Sequence, residues 1–340
     1  METPVEHQIS VAGTDIGFGC AEGDTLLRSA LRAGLSLSYE CNSGSCGSCR
    51  YELVEGEMRD RRPDAPGLSD RDRRKGRRLA CQSEPLSACS VRIGVSAEPA
   101  IHRPVRQTAQ LREVRPLTHD MSEFVFATPL PAAFSPGQYA MITLPDGSAE
   151  RAYSMSNVGN CHGNWRFVVK RAPGGAATSV LFELEAGATV GLDGPFGNAH
   201  LRDDDRPIAC VGGGSGIGAM ISIVLGAAAL PDAGDRTVHL FIGGRTVDDV
   251  VLPPALELAA RRIGSLHIHT AVSEQDDVDR ETGHAFQGFV HEAVVAGLGD
   301  AVADFTFYAA GPPAMTDALA RSLVLERGVD ADRLHFDRFC

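Results

Sequence analysis

Four cysteines constrain this chain more than any other feature. Cys41, Cys46 and Cys49 stand as Cys-x4-Cys-x2-Cys, and Cys81 follows within Leu79-Ala-Cys81-Gln82. A close triplet with a distant fourth cysteine is the plant-type spacing for a [2Fe–2S] cluster. The residues between the first three are Asn, Ser and Gly. Such a loop can wrap closely and aim backbone N–H groups at the sulfurs, which helps set the reduction potential. A zinc site would normally show two short cysteine pairs, and the four-residue gap fits that less well. A redox-sensing dithiol needs only two cysteines. Cys89 is the rival for fourth ligand, but it lies in an alternating segment (Ala88 to Val95) that reads as a strand, and Cys81 is favoured. Cys20 reads as a core thiol. The chain has nine cysteines, an odd number, and those outside the cluster are scattered. That pattern suggests a reducing compartment rather than a secreted disulfide framework.

With 340 residues, 43% of them hydrophobic, the chain exceeds what one ordinary core accommodates. Acidic residues (44) outnumber basic ones (32), which argues against nucleic acid or an anionic membrane as a partner. The start, METPVEHQIS, lacks a basic segment followed by an apolar stretch. The longest apolar run, Gly216 to Leu230, is too short to span a bilayer. A cytoplasmic location is the expectation.

Three blocks follow from composition, and the expected domains are residues 1–98, 104–202 and 203–340. SAEPAIHRPVRQT reads as a linker between the first two, and LRDDDRP as a short charged connection between the last two. In the first block, Asp24 suits a helix N-cap and Gly34 a helix stop. In the second, EFVFAT, QYAMITL, WRFVVK and TVGL are short strands separated by Pro/Gly turns, which predicts a sandwich or barrel. In the third, the apolar strands PIACV, TVHLFI, LHIHTAV and FTFYAA alternate with helical stretches, which predicts a parallel sheet covered on both faces.

The first block, over about residues 5–97, resembles plant-type ferredoxin domains, so a β-grasp fold is expected there. In the second, Arg151-Ala-Tyr153-Ser154, Val168-Val169-Lys170-Arg-Ala-Pro-Gly174-Gly175-Ala-Ala-Thr178 and Gly194-Pro-Phe-Gly197 stand in order. Together they resemble the FAD domain of the ferredoxin–NADP+ reductase superfamily, a six-stranded antiparallel β-barrel. The resemblance implies that Arg151 pairs with the FAD pyrophosphate, that Tyr153 stacks on the flavin ring and that Ser154 meets flavin N5. It also implies cofactor contacts from Val169 and Lys170, close approach at Gly174 and Gly175, and a phosphate held by Thr178, where relatives commonly have Ser. FMN is the alternative cofactor.

The third block opens with Val211-Gly-Gly213-Gly214-Ser215-Gly216-Ile-Gly-Ala-Met220 between a strand and a helix. Bare amides at a helix start suit a pyrophosphate. The ordinary dinucleotide fingerprint is absent, since no G-x-G-x-x-G stands in register and the next strand ends in Gly243-Gly-Arg245 rather than in an acidic residue. The loop resembles the superfamily's shorter version, with Ala219 where Pro is usual. Tyr308-Ala-Ala310-Gly311-Pro312 resembles the segment near the nicotinamide, with Ala310 where Cys is common, and the end of the chain offers Phe336 or Phe339 to the flavin. Ser273-Glu274 stands where NADPH-dependent relatives place Ser-Arg. A carboxylate there suits ribose hydroxyls and repels a 2′-phosphate, so NADH is expected, although Arg245 argues the other way.

A nicotinamide gives two electrons together and an iron–sulfur cluster accepts one; a flavin serves both. The order of blocks is similar to the reductase components of bacterial multicomponent oxygenases, with local segments most like toluene monooxygenase reductases. The resemblance implies an NADH:acceptor oxidoreductase whose acceptor is a Rieske ferredoxin or an oxygenase or hydroxylase component. Reductases of Rieske dioxygenases or sugar-deoxygenating dehydrases would share the domain order. A non-enzymatic redox sensor would leave the flavin and nicotinamide motifs unexplained. The basic run Arg71 to Arg78 reads as a solvated face, with docking of an acidic partner as the alternative.

Overall fold

The computed structural model describes residues 5–96, 101–274 and 285–338. Phe339, one of the two aromatic candidates for the flavin, lies outside them. The chain divides into two compact units, Met1–Arg106 and Gln107–Cys340.

The first unit is a β-grasp. A five-stranded mixed sheet runs in the order Gly17–Ala21, Glu6–Val11, Cys89–Arg92, Arg50–Glu55, Arg77–Leu79. Only Glu6–Val11 and Cys89–Arg92 pair in parallel, and this joins the two ends of the unit. The helix Leu26–Arg32 buries Leu26, Leu27, Ala30 and Leu31. Its N-cap is Thr25, whose hydroxyl accepts from the Arg28 N–H, and not Asp24 as expected. Asp24 is buried and instead accepts from Thr25 N (2.9 Å), Ser29 Oγ (3.2 Å), Arg32 Nε (3.0 Å) and Arg106 Nη2 (3.2 Å). Burial alone would raise its pKa. The Arg32 hydrogen bond and the Arg32 and Arg106 charges outweigh that and hold it below the usual carboxylate range. Gly34 ends the helix as expected, at φ +87°. Cys20 is fully buried and Cys89 lies on a strand, as their sequence context indicates.

The second unit holds two sheets. The six antiparallel strands run Glu150–Ser154, Tyr139–Thr143, Thr189–Phe196, Val105–Pro116, Met121–Ala127, Asn164–Lys170. The edge strands meet again through a bridge between Met155 and Phe167 and a 2.8 Å bond from Ser156 N to Arg166 O, which nearly closes the barrel. Phe124, Phe126, Trp165 and Phe167 fill it.

The other sheet is parallel, in the order Ala285–Gln287, Ser265–Val272, Thr237–Gly244, Ile208–Gly213, Thr306–Gly311, Leu334–Arg338. The chain enters at Ile208–Gly213, steps outward in one direction, then crosses back to Thr306–Gly311. That reversal is a topological switch point, where open α/β sheets bind ligands at the carboxyl ends of the strands. On the face covered by the helix Val290–Leu298, His239 is half-buried, and burial, reinforced by His267 and His269, pushes it down to about 4. Among the described residues, no helix is long and apolar enough to cross a membrane.

The helix Ile217–Ala227 belongs to both cores. Met121 and Val168 of the barrel join Met220, Ile221 and Val224 in one buried cluster. Ser222, fully buried, donates to Asn157 O (2.6 Å) and accepts from Gly137 N (3.2 Å), both on barrel loops.

Candidate redox and dinucleotide sites

The cysteine loop is shaped by backbone before any cluster is considered. Asn42 takes φ +51° and Gly44 and Gly47 take +85° and +77°. A Cβ at Gly47 would fall 2.4 Å from Gly67 O, so only glycine fits. These turns bring Cys41 Sγ and Cys46 Sγ to 3.3 Å. The N–H groups of Ser43, Ser45 and Cys46 donate to Cys41 Sγ at 3.5, 3.3 and 3.3 Å, and Ser48 N–H donates to Cys46 Sγ at 3.4 Å. Gln82 Nε2 reaches Cys81 Sγ at 3.6 Å. The hydrogen bond from Cys46 draws Cys41 down to about 4 and raises Cys46; likewise Cys81 is lowered and Cys49 raised by the bond they share. Each close pair thus favours one thiolate, Cys41 and Cys81, and the N–H donors on the sulfurs suit the thiolate form that binds metal. The buried Asn42 Nδ2 beside them has no hydrogen-bond partner. The four-sulfur donor set and its amide donors fit a [2Fe–2S] cluster.

Half of the basic run is spent within this unit. Arg73 bonds Pro63 O and Ala65 O, Arg77 pairs with Asp72 (2.9 Å) and Arg78 with Asp60 (3.0 Å). Arg71, Arg74 and Lys75 are exposed.

At the barrel end, the strand Glu150–Ser154 carries Arg151 and Tyr153 two residues apart, hence on one face. Arg151 is exposed, with Nη1 on Glu150 O (2.8 Å); Tyr153 is half-buried and Ser154 buried. Val169 points its side chain into the barrel core, which leaves only its backbone to a ligand. Lys170 Nζ is clasped by Asp120 (3.0 Å) and Asp249 (3.3 Å). Thr178 holds its own loop together: its hydroxyl donates to Gly175 O (3.1 Å) and accepts from Ala172 N (3.2 Å). Gly174 sits at φ +70° in open space. A Cβ on Gly175 would lie 2.8 Å from Ala172 Cβ.

In the parallel sheet, register sets Gly213 beside Gly243 and Gly212 beside Ala310. The glycine loop, the Gly243–Arg245 strand end and the Gly311–Pro312 turn therefore share the switch point. A Cβ at Gly216 would fall 2.0 Å from Ala310 O, and one at Gly213 2.6 Å from Met315 Sδ. Gly216 is required by the approach of chain to chain, whereas at Gly213 the flexible Met315 side chain could give way. Gly214, at φ +55°, faces only Lys170 Cδ at 3.8 Å, and Ser215 is half-buried. The helix starting at Ile217 has no side-chain cap, which leaves N–H donors suited to an anion.

Ser273 N–H and Glu274 N–H donate to Gly244 O (3.2 Å) and Arg245 O (2.8 Å), so Glu274 and Arg245 lie side by side, both exposed. Asp249 organises this corner. Its Oδ2 accepts from Arg245 N (3.1 Å) and Thr246 N (3.2 Å). Burial opposes its charge, but those N–H donors and Lys170 hold its carboxyl below the usual range. Sequence reasoning passed over Asp249, Asp120 and Ser222; the Thr246-x-x-Asp249 capping pattern was the one available signal. Phe336 is half-buried, with the Arg338 guanidinium 4.5 Å from its ring centre.

Residues 9–86 match the 2Fe-2S iron-sulfur cluster binding domain, 108–201 the oxidoreductase FAD-binding domain and 210–321 the oxidoreductase NAD-binding domain. The ferredoxin–NAD(P)+ reductase CarAd of Metapseudomonas resinovorans is 39% identical over 98% of this chain and 99% of its own. The ferredoxin–NAD+ reductase component of the alkene monooxygenase system of Xanthobacter autotrophicus is 39% identical over 95% and 97%. The solved structure of the ferredoxin reductase in carbazole 1,9a-dioxygenase covers 100% of both chains at 35% identity, with a TM-score of 0.89. This chain therefore belongs to the ferredoxin–NAD(P)+ reductase components of oxygenase systems, oxidoreductases that transfer electrons by way of NAD(H), FAD and a [2Fe–2S] cluster.

Proposed function

We propose that the protein oxidises NADH and delivers electrons singly to a ferredoxin or hydroxylase component of a bacterial monooxygenase acting on an aromatic or alkene substrate. The observation that carries this reading is the presence on one chain of a four-thiol loop, a barrel with an Arg-x-Tyr-Ser strand and a glycine switch point. Bound FAD supplies the exchange between paired and single electrons. The chain's residues do the placing. Arg151 offers a bidentate guanidinium to the pyrophosphate, Tyr153 a ring to the flavin face and Ser154 a hydroxyl near N5. The Gly213–Gly216 loop and the uncapped helix receive the dinucleotide phosphates, and Gly311–Pro312 borders the nicotinamide. Glu274 accepts ribose hydroxyls and disfavours a 2′-phosphate. Cys41, Cys46, Cys49 and Cys81 hold the cluster, and the exposed Arg71, Arg74 and Lys75 offer an acidic partner a landing surface.

The resemblance to the alkene monooxygenase component supports the monooxygenase reading. A second reading, service to a dioxygenase, is supported by the likeness to the reductase in carbazole 1,9a-dioxygenase. Anaerobic titration of the purified protein tests the electron path. Stoichiometric NADH should bleach the flavin and iron–sulfur bands together, and in steady-state ferricyanide reduction NADPH should show a kcat/KM lower by about tenfold, roughly 1.4 kcal/mol. Preference for NADPH would overturn the role of Glu274, and the absence of both chromophores from reconstituted protein would overturn the whole assignment. Reconstitution with each class of terminal oxygenase separates the two acceptor readings.

A further inference from the structure

Three histidines outside the redox sites converge on one face of the parallel sheet. His267 and His269 stand two apart on the strand Ser265–Val272, and the two-residue period of a strand puts both on the same face. The adjoining strand runs parallel, in a register that sets His239 beside His267. His239 Nδ1 and His269 Nε2 face each other at 3.1 Å, and the His267 ring lies 4.5 Å from the His239 ring, centre to centre. Phe241 stacks on His269 at 4.3 Å and Phe305 meets His239 edge-on at 5.3 Å, which walls one side with aromatic carbon. Among the described residues, strand Ala285–Gln287 pairs only with residues 270–272, and His267 is exposed. The nearest member, His269, pairs with Phe241, two residues or about 7 Å along the strand from Gly243, and His239 lies about 13 Å from it, at roughly 3.3 Å per residue, so the cluster stands below the glycine crevice.

We propose that His239, His267 and His269 form a binding site for a divalent first-row transition metal ion such as Zn2+. Two imidazole nitrogens on a tetrahedral ion are about 3.3 Å apart when each bond is ~2.05 Å, close to the separation of His239 Nδ1 and His269 Nε2. Here two nitrogens are already together, while the His267 ring stands 6.5 Å from that of His269; once His267 turns toward them, the His-x-His pair and its cross-strand third histidine present three nitrogens to one side of an ion and leave the solvent side for water, the arrangement of an open three-histidine site. His267 is now within 2.8 Å of Ser265 Oγ through Nε2. Rotation of this exposed side chain exchanges that contact for the metal, while the other two ligands are already packed in place. The stacked His239–His269 pair satisfies itself without a third ring. What distinguishes this face is the exposed His267 held in register beside them.

Equilibrium dialysis of the iron-replete, flavin-loaded full-length protein against Zn2+ tests this, with bound zinc read by atomic emission. The wild type should retain one equivalent more than the His239→Gln/His267→Gln/His269→Gln variant. His267→Gln alone should weaken that equivalent by at least ~10-fold, with flavin content and NADH–ferricyanide activity unchanged. Equal zinc retention by the wild type and His267→Gln would overturn the site. If the triple variant loses flavin and so fails to fold, the exposed His267→Gln decides alone.

Discussion

The chain contains two glycine-rich loops that look alike in sequence and are built on opposite principles. In the Cys41–Cys49 loop, the backbone takes left-handed turns so that N–H groups converge on sulfur, and the ligands give the loop its reason. In the Gly212–Gly216 loop, the bare Cα atoms make room for other parts of the protein: Ala310 O behind Gly216 and Met315 behind Gly213. The first loop is organised around a guest and the second around its neighbours. A glycine motif alone does not say which applies, and neither does the room around a missing Cβ, since Gly47 also makes way for Gly67 O; the aim of the backbone N–H groups does.

The largest expected effect tests the first half of this contrast. Cys46→Ser should eliminate the cluster, read as loss of its visible absorption and of cytochrome c reduction, while FAD content and NADH–ferricyanide activity persist. Retention of the cluster would mean that the loop is not organised around Cys46.

The next effect tests the second half. Gly216→Ala should destabilise the Gln107–Cys340 unit by about 1–3 kcal/mol through overpacking and raise the KM for NADH. Gly214→Ala meets open space and should lose only the ~1–2 kcal/mol of a left-handed backbone. If Gly214→Ala raises the KM more than Gly216→Ala does, ligand approach rather than chain approach governs this loop too.

The smallest effect concerns the corner beside it. Asp249 has a folded pKa below the unfolded value of about 3.9. Its charge therefore stabilises the fold above that pH, and the contribution fades as pH falls through the lower, folded value. Asp249→Asn should lower the melting temperature at pH 7 by about 2–4 °C, as expected for ~1 kcal/mol in a unit of this size, and the gap to the wild type should close below about pH 4. A gap that stays constant with pH would assign the effect to packing.

What was legible in the sequence follows the same division. The cysteine spacing was readable because ligand geometry imposes itself on adjacent residues. The strands of both large sheets were readable because burial imposes a period of two or an apolar run. Helix Leu26–Arg32 was readable in place but not in its cap, because Asp24 answers to Arg106, far along the chain. Lys170 read as a cofactor residue, and the structure gives its ammonium two carboxylates, one of them on a distant turn. Thr178 read as a phosphate ligand, and its hydroxyl is occupied within its own loop. Polar side chains keep no period, so their partners emerge only once the chain is folded.

Ser222 carries a consequence for anyone recombining such reductases. One hydroxyl, sealed from water, joins a helix of the nicotinamide half to two loops of the flavin half. A crossover near residue 203, the natural cut by motif, would sever that seam and require the donor's helix to fit a foreign barrel. A crossover near residue 106, at the division between the compact units, leaves it whole. For a chimera, the heritable module is the flavin and nicotinamide halves together.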